Sequence, residues 1–175
     1  MPDYRRCPRS DRAFLLPGVS HGFKIPRSVL VVIYTADLQV LMLERAGWPG
    51  FWQSVTGSQE PGETLCATAT RELLEETGID ARRHGGLVDW KQTNVYEIFP
   101  QWRHRYAPET THNTEHVFGL QVSAPLAVTV TLAPREHLRA VWLPWQEAAA
   151  QCFSWSNRAA IEALPQRIQT VKAAS

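Results

Sequence analysis

The segment Gly57-Ser-Gln-Glu-Pro-Gly-Glu63-Thr-Leu-Cys-Ala-Thr-Ala-Thr-Arg71-Glu72-Leu-Leu-Glu75-Glu76-Thr-Gly78-Ile79 decides how the chain is read. Pro61 and Gly62 turn the chain into a helix expected from about Thr64 to Thr77, and Gly78 supplies the left-handed residue that closes it. At roughly 100° per residue, spacings of three and four place Glu72, Glu75 and Glu76 on one arc. Leu73, Leu74, Cys66 and Ala67 fall on the opposite side and are expected to pack into a core. Three carboxylates this close repel one another, so the cluster is destabilising unless something positive neutralises it. Mg²⁺, with Mn²⁺ as a substitute, is the natural candidate, being a hard cation that bridges carboxylates to phosphate oxygens. Arg71 can offset part of the charge and orient a carboxylate through a bidentate contact. For the E-x-x-E-E spacing alone, a solvated acidic helix face is the plain alternative.

Working outward, Ser28-Val-Leu-Val-Val-Ile-Tyr34 is a β-branched apolar run, the signature of a strand buried on both faces. Asp37 marks a turn, and Gln39-Val-Leu-Met-Leu-Glu44 is the return strand of a hairpin. Gly47, Pro49 and Gly50 punctuate a loop before a short strand at Phe51–Thr56. Later strands are expected at Leu87–Trp90, Val95–Phe99, His116–Val122, Val128–Leu132 and Val141–Leu143. The polar stretch Pro100–Asn113 has no period and reads as a long loop, a kind of segment that often carries function. Ser156 is the expected cap of a helix from Asn157, which Pro165 should kink or interrupt. Several strands mixed with about two helices describe an α+β domain, or an α/β/α sandwich. Residues 1–23 read as a loose arm rich in Arg, Pro and Gly, ahead of one domain at 24–175.

The chain has 175 residues, enough for one sizeable core, with 44% apolar and 20% charged residues. Its 18 basic and 17 acidic residues leave a formal charge of +1, which gives no bulk attraction for nucleic acid or membrane. Any anionic substrate must be met locally. Cys7, Cys66 and Cys152 are far apart and odd in number, so neither a zinc site nor a disulfide framework is readable. A reducing cytoplasm is the simplest setting. Met1–Ser20 has no continuous apolar run like a signal peptide, and Val29–Tyr34 is too short to span a bilayer.

The same segment resembles the box of the Nudix hydrolase family, G-x5-E-x7-R-E-U-x-E-E-x-G-U, where U is a bulky aliphatic residue. Gly57, Glu63, Arg71, Glu72, Leu73, Glu75, Glu76, Gly78 and Ile79 match every specified position. The resemblance implies an α/β/α sandwich with a mixed β-sheet, in which the box forms a loop–helix–loop that binds divalent metal. It makes Glu72, Glu75 and Glu76 the metal ligands, Glu63 a supporting group and Arg71 the residue that orients the carboxylates. A bound metal ion neutralises phosphate charge and lowers the pKa of a water, whose proton a carboxylate then accepts. Which of Glu75, Glu76 and Glu136 is that base stays open.

Within the family the likeness extends over roughly residues 24–165. It is carried by Phe51-Trp-Gln-Ser-Val-Thr-Gly-Ser58, Arg103-His-Arg-Tyr-Ala-Pro108 and Ser154-Trp-Ser-Asn-Arg158, and it points to the branch acting on a pterin triphosphate. This implies hydrolysis of 7,8-dihydroneopterin triphosphate to the monophosphate and pyrophosphate in folate biosynthesis, with dATP as a side substrate. The alternatives are a house-cleaning nucleoside triphosphate hydrolase and a non-catalytic module that senses a nucleotide. By position, Glu136 becomes an extra metal ligand or the general base, while Lys24, Arg45 and Thr56 contact substrate. Tyr96, Glu97, Ile98, Phe99 and Ser154 line the pocket for the pterin or base. Read without the resemblance, Lys24 and Arg45 are solvated cations, Glu136 an exposed loop carboxylate and Tyr96–Phe99 a core strand. The loop Trp102-Arg-His-Arg-Tyr-Ala-Pro108 mixes cations with aromatics, but in a near-neutral chain it fits closure over a polyphosphate better than nucleic-acid binding. His104 and His112 have no partner at zinc spacing. Ala46–Gly50 departs in character from the pterin branch, so a pocket bordered by it could differ in preference. Oligomeric state is not readable from these residues.

Overall fold

The computed structural model describes residues 5–7 and 22–173. Its elements are β1 (Arg5–Arg6), β2 (Arg27–Thr35), β3 (Gln39–Arg45), β4 (Trp52–Gln53), β5 (Val55–Ser58), α1 (Leu65–Thr77), β6 (Val88–Glu97), β7 (His112–Val122), β8 (His137–Pro144), α2 (Trp145–Gln151), α3 (Trp155–Glu162) and α4 (Leu164–Ala173). The strands form one sheet in the order β1-β6-β7-β2-β3-β4, with β5 also paired to β2 and β8 to β3. Only β2 and β7 run parallel among these pairs; the rest are antiparallel, so the sheet is mixed.

The parity of β2 explains why its run is apolar throughout. Val29, Val31 and Ile33 face the layer of α1, where they meet Ala69 and Leu73. Leu30, Val32 and Tyr34 face the other way, against Ala148, Ala149, Ala160, Ile161 and Leu164 of the C-terminal helices. Successive strand side chains alternate between faces, and both faces here are covered. This is an α/β/α sandwich. Full burial of a side chain such as Leu73 or Ile33 contributes about 1.5–3 kcal/mol.

Helix α1 forms where its capping residues dictate. Thr64 accepts from the Ala67 N–H, and Gly78, at φ 71°, donates its own N–H to the Leu74 carbonyl. Its buried stripe is Thr68, Ala69, Leu73, Glu76 and Thr77, whereas Leu74 is 52% exposed. The expectation that Leu74 packs inward is therefore corrected. Ala69, Leu73 and Glu76 follow the four-and-three spacing of one face, and Leu74 lies about 100° round from it. One carboxylate of the cluster thus sits on the buried stripe.

Elsewhere several boundaries move. Leu87–Trp90 and Val95–Phe99 belong to one strand, β6, whose register shifts between Asp89 and Gln92, next to Lys91 at φ 54°. Val128–Leu132 is not a strand. Thr131 and Ala133 donate instead to the Thr77 and Glu76 carbonyls at the end of α1, and Val128, Val130 and Leu132 pack on the core. The long loop contains a short 3-10 turn at Pro100–Arg105, and His112 and Asn113 already lie in β7. Ser154, not Ser156, caps α3 by accepting from the Asn157 N–H at 3.2 Å. The helix is interrupted at Ala163, two residues before Pro165, as expected, and Pro165 then occupies the first turn of α4, where its missing N–H has no intrahelical partner to lose. The sequence also showed no sign of α2.

Part of the segment read as a loose arm is tied down. Arg5 and Arg6 pair with Asp89 and Val88 of β6, and Cys7 forms a disulfide with Cys66 of α1, with Cα atoms 5.7 Å apart. Arm residues 8–21 lie outside the described residues. The pairing is one that the cysteine spacing did not make readable; Cys152 is the free, buried thiol. No helix among the described residues is long and apolar enough to cross a membrane. Closing a loop of 59 residues between the cysteines should stabilise oxidised protein by about 2–4 kcal/mol. Thermal melts of wild type and Cys7→Ser, with and without reductant, check this: the variant should melt lower only under oxidising conditions. Equal melting points in air would show that the bond contributes nothing.

Candidate active site

The acidic cluster is organised by one guanidinium. Arg71 donates from Nε to Glu63 Oε1 at 2.7 Å and from Nη2 to Glu63 Oε2 at 3.0 Å. Its Nη1 reaches Glu72 Oε1 at 2.8 Å and Glu75 Oε2 at 3.0 Å, and Nη2 also donates to the Ser58 carbonyl at 3.0 Å. Glu63 is itself held by the Glu60 N–H and the Thr68 hydroxyl. Burial alone would raise the Glu63 pKa, but the hydrogen bonds from Arg71, Glu60 and Thr68 hold it below the usual carboxylate value. The hydrogen bonds to Glu63, with the charge of Glu72, push Arg71 upward and fix it as a cation.

Glu72 packs directly over β5. A Cβ added to Gly57 would lie 1.8 Å from the Glu72 carboxyl carbon, so only glycine lets that carboxylate reach the sheet. Burial raises Glu72 to about 7; Arg71 opposes the rise, and the charges of Glu76 and Glu75 add to it. Glu76 is only 3% exposed and is likewise raised, chiefly by burial, although His137 works against the shift. His137 Nε2 stands 2.9 Å from Glu76 Oε2, and its buried Nδ1 has no hydrogen-bond partner among the described residues.

Glu76, Glu136 and His137 each bring a ligand atom within 4.8 Å of the others. Two carboxylates and one imidazole around one point, with Glu76 and His137 buried, fit a divalent cation that takes mainly oxygen ligands. Glu72 and Glu75 face the same cleft, and both carry a hydrogen bond from Arg71. Of the proposed ligands, then, Glu76 and Glu136 converge directly, and His137 joins them.

These groups form one end of an open cleft of about 870 Å³. Lys24 lines it, donating to Ser58 Oγ at 3.3 Å. Burial and the nearby Arg105 lower its pKa, while Glu72 and Glu136 counteract them. Arg45 lines it too, with its guanidinium 5.8 Å from the Trp102 ring centre, and Thr56 accepts from Gln53 at 3.2 Å. Tyr96, Glu97, Phe99 and Ser154 also line the cleft. Two named residues do not reach the cleft wall. Arg71 stands behind the carboxylates, and Ile98 is 3% exposed within the core. The Tyr96 hydroxyl accepts from Asn113 Nδ2 at 3.0 Å. Glu97 is exposed and pairs with Arg103.

Phe99, which the resemblance named, and Phe153, which the sequence missed, line the cleft with centroids 6.3 Å apart, and Phe51, outside the lining, packs on Phe153 at 4.8 Å. Trp102 meets Phe99 edge-on at 5.4 Å. The cleft is also lined by Gln53, Asn113, Glu115 and Asn157, and Asn157 Oδ1 accepts from the Ser54 N–H at 2.8 Å while its amide donates to Ser54 Oγ at 2.9 Å. His137 carried one usable signal, its place beside Glu136; the others reach the cleft only through strand pairing and the α3 cap.

The comparisons with known proteins agree with this geometry. The NUDIX domain model matches residues 24–164. The chain is 49% identical over 142 residues to dihydroneopterin triphosphate diphosphatase of Escherichia coli strain K12, a match covering 80% of this chain and 92% of that protein. It is 42% identical to the protein of the same name from Haemophilus influenzae, covering 80% and 87%. The solved structure of the E. coli dihydroneopterin triphosphate pyrophosphohydrolase superposes with a TM-score of 0.72 at 48% identity, over 81% of this chain and 95% of that one. A complete box on the helix that carries it, a matching fold and this identity lead to one conclusion: the chain belongs to the NUDIX family of divalent-metal-dependent hydrolases.

Proposed function

We propose that this enzyme hydrolyses 7,8-dihydroneopterin triphosphate to the monophosphate and pyrophosphate, with Mg²⁺ as its ion, Mn²⁺ able to replace it, and dATP as a side substrate. The observation that carries the reading is the 49% identity to an E. coli protein of that name, in a cleft joining an acidic end to an aromatic wall. A triphosphate tail and a flat heterocycle need those two surfaces, one for each end of the molecule. The near-neutral chain supports a small-molecule substrate rather than a nucleic acid, and a metabolite of this kind supports a cytoplasmic setting, where Cys7 and Cys66 would be kept as neighbouring thiols. The catalytic unit is residues 24–175, with 1–23 an appended arm.

Glu72 and Glu76 would hold the ion, Glu75 completes the acidic face, and Arg71 keeps the carboxylates aimed. When bound, the ion neutralises phosphate charge and lowers the pKa of a water molecule. Lys24 and Arg45 meet phosphate oxygens, with Thr56 beside them. Glu136 is the general base. Glu75 is engaged by Arg71 and Glu76 by His137, whereas no hydrogen bond to the Glu136 carboxylate is present among the described residues, which leaves its lone pairs to take a proton. The phosphate charge this requires is focused at the acidic end, and the aromatic wall holds the ring away from it.

Product analysis of purified protein with Mg²⁺ tests the substrate. 7,8-Dihydroneopterin triphosphate should give pyrophosphate and the monophosphate faster than dATP is cleaved; a clear preference for dATP or oxidised dGTP would overturn the assignment. For the base, Glu136→Gln should lower kcat by about 10²–10⁴-fold with little change in KM. A kcat near wild type would place the base elsewhere.

A further inference from the structure

Glu115 lies on β7 and is 5% exposed, yet it forms part of the cleft wall. Its Oε1 accepts from Asn94 Nδ2 at 3.2 Å, and the Ser156 hydroxyl donates to the same carboxylate. No cationic side chain pairs with it among the described residues, and burial pushes its pKa up. A buried carboxyl group without a cation is unfavourable unless donors surround it. A carboxylate offers about four lone-pair sites, and two donors leave acceptor capacity unused.

Several neighbouring polar groups are engaged with one another. Asn113 Nδ2 donates to Ser28 Oγ at 2.7 Å and to the Tyr96 hydroxyl. Both ends of the Asn157 amide are engaged by Ser54. Glu97, the carboxylate that the sequence nominated to accept from a heterocycle, is exposed and paired with Arg103. Phe99 and Phe153, 45% and 41% exposed, stand in the same cleft and leave part of their ring surface open to it. A stacked planar ring would therefore find, in the buried wall, a carboxylate with spare acceptor capacity.

We propose that Glu115 determines specificity by accepting two parallel hydrogen bonds from a heterocycle edge that carries a ring N–H beside an exocyclic amino group. The 2-amino-4-oxo edge of a pterin has this pattern, and guanine shares it. Adenine does not, because its ring nitrogen beside the amino group is an acceptor and meets the carboxylate lone pairs. Paired charge-assisted contacts of this geometry are both strong and directional. This inference rests on the pterin triphosphate reading above for its substrate.

The test compares kcat/KM for 7,8-dihydroneopterin triphosphate, dGTP and dATP in wild type, Glu115→Gln and Glu115→Asp. A glutamine amide sets a donor against one of the N–H groups, but it can accept from the adenine amino group and donate to its ring nitrogen. Glu115→Gln should therefore lose about ten- to hundredfold on the pterin and on dGTP while changing dATP by no more than about threefold. Glu115→Asp keeps the carboxylate and should keep the wild-type order of preference. An equal fall on all three substrates would make Glu115 a structural residue, and an unchanged pterin rate would remove it from recognition; either overturns the inference. Wild type that cleaves dATP but not the pterin would instead sink the substrate assignment, and dGTP against dATP would still read Glu115 by itself.

Discussion

Arg71 is the interaction on which the rest of this site depends. One guanidinium reaches three carboxylates and a backbone carbonyl of β5, so it fixes the helix that carries the acidic cluster to the sheet beneath. Without a fork of that shape, Glu63, Glu72 and Glu75 would repel one another and splay into solvent. The arrangement leaves a residual imbalance. Arg71 supplies one positive charge to several carboxylates, and burial keeps Glu72 and Glu76 raised despite their partners. That imbalance is what a divalent ion and a polyphosphate would resolve together.

The fold places the two ends of the cleft by separate means. At the acidic end the requirement is close approach: Gly57 has no side chain, so Glu72 can lie on β5, and the buried stripe of α1 carries Glu76 inward to His137. On the aromatic side the requirement is breadth. Phe99 and Phe153 come from different connections, and the cap of α3 brings Asn157 against Ser54. The parallel pairing of β2 with β7 sets Asn113 and Glu115 beside the start of β2, on the same side as Lys24. A sheet covered on both faces makes a rigid base for such a site, while the loops that complete it stay open to ligand.

What could be read from the sequence was local. The carboxylate spacing, the Gly78 cap and the doubly buried β2 each follow from a few neighbouring residues, and the sandwich follows from those elements. Leu74 was misplaced because a helical wheel cannot say where the stripe ends when a glutamate occupies part of it. Val128–Leu132 has the composition of a strand, but it finds its hydrogen bonds at the end of α1 instead of in the sheet. The Cys7–Cys66 bond, the His137–Glu76 contact and the buried Glu115 join residues distant in sequence, and no periodicity carries information of that kind. Glu97 and Glu115 both line the cleft, but only strand pairing leaves Glu97 exposed beside Arg103 and buries Glu115 against Asn94 and Ser156.

The most direct measurement is divalent-metal affinity in Arg71→Lys, by calorimetric titration with Mn²⁺ against wild type. Lysine keeps the positive charge but removes the fork that holds Glu63, Glu72 and Glu75 in one geometry. If Arg71 preorganises the carboxylates for a cation, affinity should fall by about ten- to hundredfold, as it does when the groups orienting metal ligands are removed elsewhere. Unchanged affinity in a folded variant would contradict the account, because the carboxylates would then find the ion without the guanidinium that joins them.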